Sequence, residues 1–508
     1  MNKDLPAIES ETLQELFPPW LWSALCSLCR ATPQAIYLTG GTLRDLLLGR
    51  ISKDIDLTVA SGAGYFAKHL AGICGGTFIQ LDTKEDVARV ACQGSFVDVS
   101  AFREGASTIA EDLCRRDFTI NALAILLNPF LEGETVFCPK VDGLTFLDPT
   151  GGKNDIAQRM LRLAESEGFV QDPLRMLRAY RFAATLDFKL TQSVFFSLQE
   201  HQHLISCSAP ERIAHELNAI MVSPRAFASM QNMAAGGMLG ILLPELLAGD
   251  GVLQPKSHHL DVLGHNLETL HQLERALAVP QLYFTKLTAH MSAYLDDEQN
   301  VLAVKWAALL HDLGKPVTRK LGEEQGGRVT FYKHEQAGVV LFTDIAQRLR
   351  WSNRQREKVA QLIGQHMRPF HLLNVARTGN LSLRATIRLV KTMGADLPGL
   401  FLLALADSLA GQGTERIMGI EKEVVILYNK ADTVRIEQVL PVQSSPPLLT
   451  GKDLIVLFGL TPGPVFKEIL AAVELAAMEE QIQDRQQALD YVAALLAEKY
   501  RERRHKAE

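Results

Sequence analysis

The 508-residue chain predicts an α/β head followed by a mostly α-helical remainder. Short β-like runs, Ala35-Ile36-Tyr37-Leu38 and Ser95-Phe96-Val97-Asp98-Val99-Ser100, alternate with helical segments over residues 1–150. Beyond Asp148-Pro149-Thr150-Gly151-Gly152, from Asp155 onward, Leu, Ala, Arg, Glu and Gln recur at helical spacing between Pro and Gly turns. Turn-rich seams follow at Gly249 to Ser257 and at Asn429 to Leu449, where Pro441, Ser444, Ser445, Pro446 and Pro447 cluster. The expected segments are 1–150, 151–248, 249–430 and 431–508, with no internal repeat.

A net charge of −6 argues against a surface coated with nucleic acid, so any such partner must meet local basic patches. The seven cysteines, all between Cys26 and Cys207, read as reduced thiols, and Cys26-Ser27-Leu28-Cys29 has no second pair at a zinc-like distance. The acidic start, with Asp4, Glu9, Glu11 and Glu15, is unlike a signal peptide. No apolar run reaches spanning length, so a cytoplasmic protein without a membrane partner is expected.

In the head, Lys53-Asp54-Ile55-Asp56-Leu57-Thr58-Val59 alternates, which throws Asp54 and Asp56 to one face and Ile55 and Leu57 to the other. Two adjacent carboxylates suit Mg²⁺, which leaves its other positions to water and phosphate. Alone, such a pair also describes a solvated strand edge. Just upstream, Gly40 and Gly41 let backbone amides approach phosphate, and Arg44 adds a charge-assisted donor. A third run, Arg115-Arg116-Asp117-Phe118-Thr119-Ile120-Asn121-Ala122, offers cations, an acid and an amide to ribose and phosphates, or else a charged helix start.

These three motifs in this order resemble the class II tRNA nucleotidyltransferase and bacterial poly(A) polymerase family. The resemblance implies a polymerase-beta-like α/β nucleotidyltransferase head, a helical neck, an HD-type helical body and a helical tail. It extends to Asp172-Pro173-Leu174-Arg175-Met176-Leu177-Arg178-Ala179-Tyr180-Arg181-Phe182 and to Glu211-Arg212-Ile213-Ala214-His215-Glu216. By that likeness Asp172 and Arg175 read the base of the incoming nucleotide, three positions apart on one helix face, with Arg178 and Arg181 also lining the nucleotide site. The bland alternative is a surface ion pair. Gln171 departs from the Glu usual in the family, while Glu211 and Arg212 would brace the template helix. The implied chemistry has Asp54 and Asp56 holding two Mg²⁺ ions that activate the RNA 3′-hydroxyl and neutralise the leaving pyrophosphate. Asp98 is the candidate third carboxylate, against a plain strand acid.

Downstream, Leu309-Leu310-His311-Asp312-Leu313-Gly314-Lys315 sets an imidazole beside a carboxylate, with His265, His334, His366 and Asp407 at domain-scale distances. This resembles an HD-domain phosphohydrolase in its two-metal version. It implies a divalent transition metal, or Mg²⁺, and a bridging water that attacks a phosphoester. A metal-free helical body that holds RNA is the alternative.

Leu448 to Pro464 resembles the tail of the same enzymes and should dock the body of tRNA, while the basic run Lys499 to Lys506 can touch phosphates or simply fray. Only Glu104 to Ala110 separate Phe102-Arg103 from Glu111-Asp112, where CCA-adding relatives carry a longer mobile loop. A CC-adding enzyme is therefore expected, acting on the tRNA 3′ end with CTP and leaving the final A to a separate A-adding partner. Full CCA addition using CTP and ATP, poly(A) synthesis, and an RNA-end phosphohydrolase or RNA-binding protein with an inactive head stay open.

Overall fold

The computed structural model describes residues 17–505 apart from 33, 51–53, 104, 132–144, 285–286 and 323–327. The acidic N-terminal segment to residue 16, Cys138, Glu104 and the side chains of the terminal basic run lie outside the described residues. The other six cysteines are free thiols.

The chain separates into two compact units, one of Met1–Ile220 with Ala235–Ile241, the other of Met221–Ala234 with Leu242–Glu508. The first contains a six-stranded mixed sheet. Its strands are β1 (Ile36–Thr39), β2 (Asp54–Val59), β3 (Thr77–Asp82), β4 (Val87–Cys92), β5 (Ser95–Ala101) and β6 (Ala124–Leu126), in the order β3-β4-β5-β2-β1-β6. Only β2 and β5 pair in parallel; every other neighbour is antiparallel. Along β2, Ile55 and Leu57 are buried while Asp54 is exposed and Asp56 half-buried, so the alternation read from the sequence holds.

Gly40 and Gly41 do not form a free turn: they open the helix Gly40–Leu47 directly after β1. Helices dominate from Gly152 onward. Asp172 is not helical. Pro173 disfavours the helical conformation in the residue before it, and Asp172 sits extended at φ −138° between the short helix Gly168–Gln171 and the helix Arg175–Leu186. The expected placement of Asp172 and Arg175 on one helix face is thus corrected.

The second unit is helical among its described residues except for the two-stranded pairing of Lys320–Gly322 with Arg328–Thr330. Two further expectations change here. Helix continues from Ile420 through Ser444, so most of the supposed seam is regular structure; a π-helical turn at Arg435–Val439 interrupts the α pattern just before Pro441, which has no N–H to give to it. One stretch, Leu383–Ala410, is long and apolar enough by length and composition to cross a membrane, contrary to expectation, and 72% of its most apolar window is buried inside the fold. A helix apolar on all sides belongs in a core, and Leu397–Ala410 is one. The tail packs around its own cluster of Leu449, Leu454, Ile469, Val473 and Val492.

Candidate active sites

Asp54, Asp56, Asp98, Gly40, Gly41, Arg44, Arg115, Arg116, Asp117, Asn121, Asp172, Arg175, Arg178 and Arg181 all line one cavity of about 1290 Å³ in the first unit. Its floor is the β2–β5 pair, where Asp56 stands opposite Asp98 in register. Gly40 adopts φ +67°, and a Cβ there would stand 2.9 Å from Asp56 Oδ2 and 3.1 Å from Arg116 Nη1. Only glycine leaves that space open. The first turn of the helix reaches the same carboxylate: Thr42 N donates to Asp56 Oδ2 at 3.3 Å, and Asp56 N donates to Thr42 Oγ1 at 2.8 Å. Burial pushes the Asp56 carboxyl up, helped by the charge of Asp98, while Arg116 and the Thr42 N–H oppose it. Asp54, Asp56 and Asp98 therefore offer hard oxygen donors on one face, with room kept clear above them, and that set fits Mg²⁺.

The third motif is largely internal. Arg116 is buried and donates to Thr39 Oγ1, Thr58 Oγ1 and Asp112 Oδ2, so it braces the sheet beneath the cavity rather than offering a free fork. Asn121 accepts from Arg44 Nη1 at 2.8 Å and donates to Asp117 Oδ1 at 3.0 Å. Asp117 in turn pairs with Arg178 at 2.6 Å. This chain ties the glycine-led helix to the helix Arg175–Leu186. Arg181 is taken by buried Glu216 at 2.6 Å. Arg175 Nη2 donates to the carbonyl of Arg115, while its Nη1 is buried without a partner. Asp172 accepts from Leu174 N at 3.2 Å and lies 3.4 Å from Arg212. Asp172 and Arg175 thus retain polar capacity toward the cavity; Arg178 and Arg181 are spent on holding the helix.

Sequence reasoning missed Phe182, whose buried ring lies 4.2 Å from Arg181, 5.3 Å from Arg44 and 5.6 Å from Arg178. Its place beside three arginines in an otherwise ordinary helical run was the available signal.

In the second unit all six expected ligands converge. His265 Nε2 lies 3.0 Å from Asp407 Oδ1, His311 Nε2 3.2 Å from Asp312 Oδ2, and His334 and His366 Nε2 lie 3.3 and 3.7 Å from Asp312 Oδ1. Three of the histidines come from helix termini: His311 ends Glu298–Leu310, His366 ends Asn353–Gln365 and His334 opens His334–Arg348. Each turns Nδ1 to a backbone carbonyl, of Ala308, Phe331 or Ile363, at 2.7–3.0 Å, which aims Nε2 inward as metal-binding imidazoles are oriented.

Buried His311 Nε2 and both Asp312 oxygens have no hydrogen bond, although Lys315 Nζ stands 2.5 Å from Asp312 Oδ2. Converging buried groups of mixed N and O type fit a divalent transition ion. Burial, with the neighbouring His311 charge, pushes His366 down to about 3, so its ring is neutral at neutral pH, as a metal-binding imidazole must be. His258 was missed; it stacks edge-on to His265 at 4.6 Å, and its position in Ser257-His258-His259, with no ligand spacing, gave no signal. The cavity above the cluster, about 870 Å³, is also lined by Phe331, Tyr332, Phe370 and Arg416.

A carboxylate-bearing α/β head together with a helical unit that carries an HD-type cluster of candidate metal ligands defines the class of a nucleotide-transferring enzyme. Residues 36–162 match the model of the poly A polymerase head domain, 187–249 that of the RNA- and SrmB-binding site of polymerase A, 281–411 the HD domain and 413–493 tRNA nucleotidyltransferase domain 2. An A-adding tRNA nucleotidyltransferase of Deinococcus radiodurans is 31% identical across 91% of this chain and 95% of its own length. A CC-adding tRNA nucleotidyltransferase of Thermus thermophilus is 31% identical across 90% and 93%. A solved CCA-adding enzyme shares the fold with a TM-score of 0.61 at 21% identity over 96% of both chains; related structures hold CTP, ATP or, from Thermotoga maritima, tRNA. The chain belongs to the tRNA nucleotidyltransferase and poly(A) polymerase family, and is an enzyme of that family.

Proposed function

We propose that the chain adds C from CTP to the 3′ end of tRNA without a nucleic-acid template, releasing pyrophosphate. The observation that carries this reading is the sharing of one cavity by Asp54, Asp56 and Asp98, the Gly40 helix start, and the Asp172–Arg175 pair. Asp54, Asp56 and Asp98 would hold Mg²⁺, which when bound supplies Lewis-acid activation of the 3′-hydroxyl and neutralisation of the leaving group. The Gly41 amide would bind a triphosphate oxygen, and the Arg44 guanidinium, held in place by Asp45 and Asn121, would add its positive charge. Arg175 would donate to a base edge and Asp172 accept from it.

The CC-adding reading rests on the short link before the helix Ile109–Cys114, whose described ends are tied down: Arg103 N and Nη1 donate to Asp112 Oδ1, and Ser107 N donates to Glu111 Oε2. A tied link has little reach. A separate A-adding enzyme would complete the end. The A-adding relative favours a second reading, in which ATP is used on tRNA already ending in CC. The HD-type cluster, through His265, His311, Asp312, His334, His366 and Asp407, would hold a divalent ion supporting phosphoester hydrolysis. The proposed division of labour is head 1–150, neck 151–248, HD body 249–430 and tRNA-docking tail 431–508, in a cytoplasmic protein.

The test incubates the purified chain with tRNA ending at the discriminator base, supplying labelled CTP or ATP separately, and sizes the products. Two added C's are expected with CTP and none of either nucleotide with Asp54→Ala, which should still bind tRNA. Incorporation of A alone onto tRNA ending in CC would establish the second reading. Undiminished incorporation by Asp54→Ala would refute both.

A further inference from the structure

Arg89, Asp98 and Asp56 form one rung across β4, β5 and β2, since Arg89 is the register partner of Asp98 and Asp98 that of Asp56. All three belong to the same face of the sheet. Arg89 grips Asp98 with two parallel bonds, Nε to Oδ1 at 2.7 Å and Nη2 to Oδ2 at 2.8 Å. Its guanidinium is pinned from a second side by the ring of Phe96, 5.1 Å away and two residues from Asp98 on the same strand. An ordinary exposed cross-strand pair holds neither partner so firmly. Here the side chains are only 31% and 24% exposed, and the fork fixes the plane of the carboxylate.

A carboxylate has about four lone-pair sites, and a bidentate guanidinium uses one on each oxygen. Asp98 therefore keeps acceptor capacity toward the cavity, in an orientation it does not choose for itself. Without that grip, repulsion from Asp56 across the rung would turn it away. The negative charges of Asp54 and Asp56 also act on Arg89, after its bonds to Asp98, to hold its proton more tightly.

We propose that Arg89 is a positioning residue for the head's metal site, orienting Asp98 as its third oxygen donor. This rests on the reading of Asp54 and Asp56 as metal ligands. Charge alone predicts the opposite sign: a cation beside a cation site should weaken binding. The two accounts therefore part on Arg89→Lys, which keeps the charge and loses the fork.

Mn²⁺ binding to the full chain, followed by the free-ion paramagnetic resonance signal, separates them. The difference between the wild type and Asp54→Asn isolates the head site from the HD-type cluster. If that difference is nil, the metal reading fails and the proposal with it. Given a head site, Arg89→Lys is expected to weaken it about tenfold, the loss typical of an outer-shell partner. Asp98→Asn should lose as much, and the double variant no more than the worse single one, because the two residues act as a unit. Phe96→Leu, which leaves both charged groups in place, should show a smaller loss of the same sign and covers the case of an unstable Arg89 variant. Unchanged or tighter binding in Arg89→Lys and Phe96→Leu, or losses that add in the double variant, would overturn the proposal.

Discussion

At Gly40 a single missing side chain decides whether the head can work. The residue stands at φ +67°, and a methyl group there would press on Asp56 Oδ2. Gly40→Ala is expected to lose about 1–3 kcal/mol from the backbone alone, with incorporation falling at least tenfold even at saturating CTP because Asp56 must shift. Thermal melting and kcat measure the two effects; a variant with normal kcat would show that the space above Asp56 has no function. The Asp54 and Asp56 pair was fully legible in the sequence, because strand alternation is local. The internal role of Arg116 was not. A guanidinium reads the same in sequence whether it meets phosphate or three internal oxygens, and only the closing of β1, β2 and the Ile109–Cys114 helix around it settled which.

The helix Arg175–Leu186 shows how an element is aimed. Its outward arginines are held by Asp117 and Glu216 and gather at Phe182, leaving Arg175 to face the cavity. Burial would raise the Asp117 carboxyl, but Arg178 foremost, with Asn121 and the Phe118 N–H, holds it well below the usual carboxylate range. A depressed carboxylate contributes stability that is present above its unfolded value, about 3.9, and is lost as pH falls toward the folded one. Asp117→Asn should accordingly lower the urea midpoint at pH 7, with the gap to wild type closing below about pH 4. A gap constant from pH 7 to pH 3 would exclude the ion pair as its source. The sequence revealed the helix but not where it starts, since proline's veto on Asp172 competes with a helical pattern that runs straight through it.

For the molecule as a whole, two sets of polar residues gather in two separately packed units: the head cavity draws on residues 39–212, the HD-type cluster on residues 258–407. Asp312→Asn should therefore abolish divalent-metal-dependent phosphoester hydrolysis while CTP incorporation stays within about twofold of wild type, as expected for sites that share no residues. Parallel assays of p-nitrophenyl phosphate turnover and tRNA extension check this, and loss of both together would argue for one shared site. Six of the seven candidate metal ligands at the HD-type centre could be named from sequence because all six sit in helical runs, two of them as an adjacent His-Asp pair. His258 could not, because only the folded chain brings its loop over His265.

Pro173 carries a further consequence. By barring Asp172 from the helical conformation, it sets that carboxylate on extended backbone just outside the helix that carries Arg175. On the proposed reading, changes confined to that extended residue would alter which letter is written onto an RNA while leaving the helix and its packing as they are.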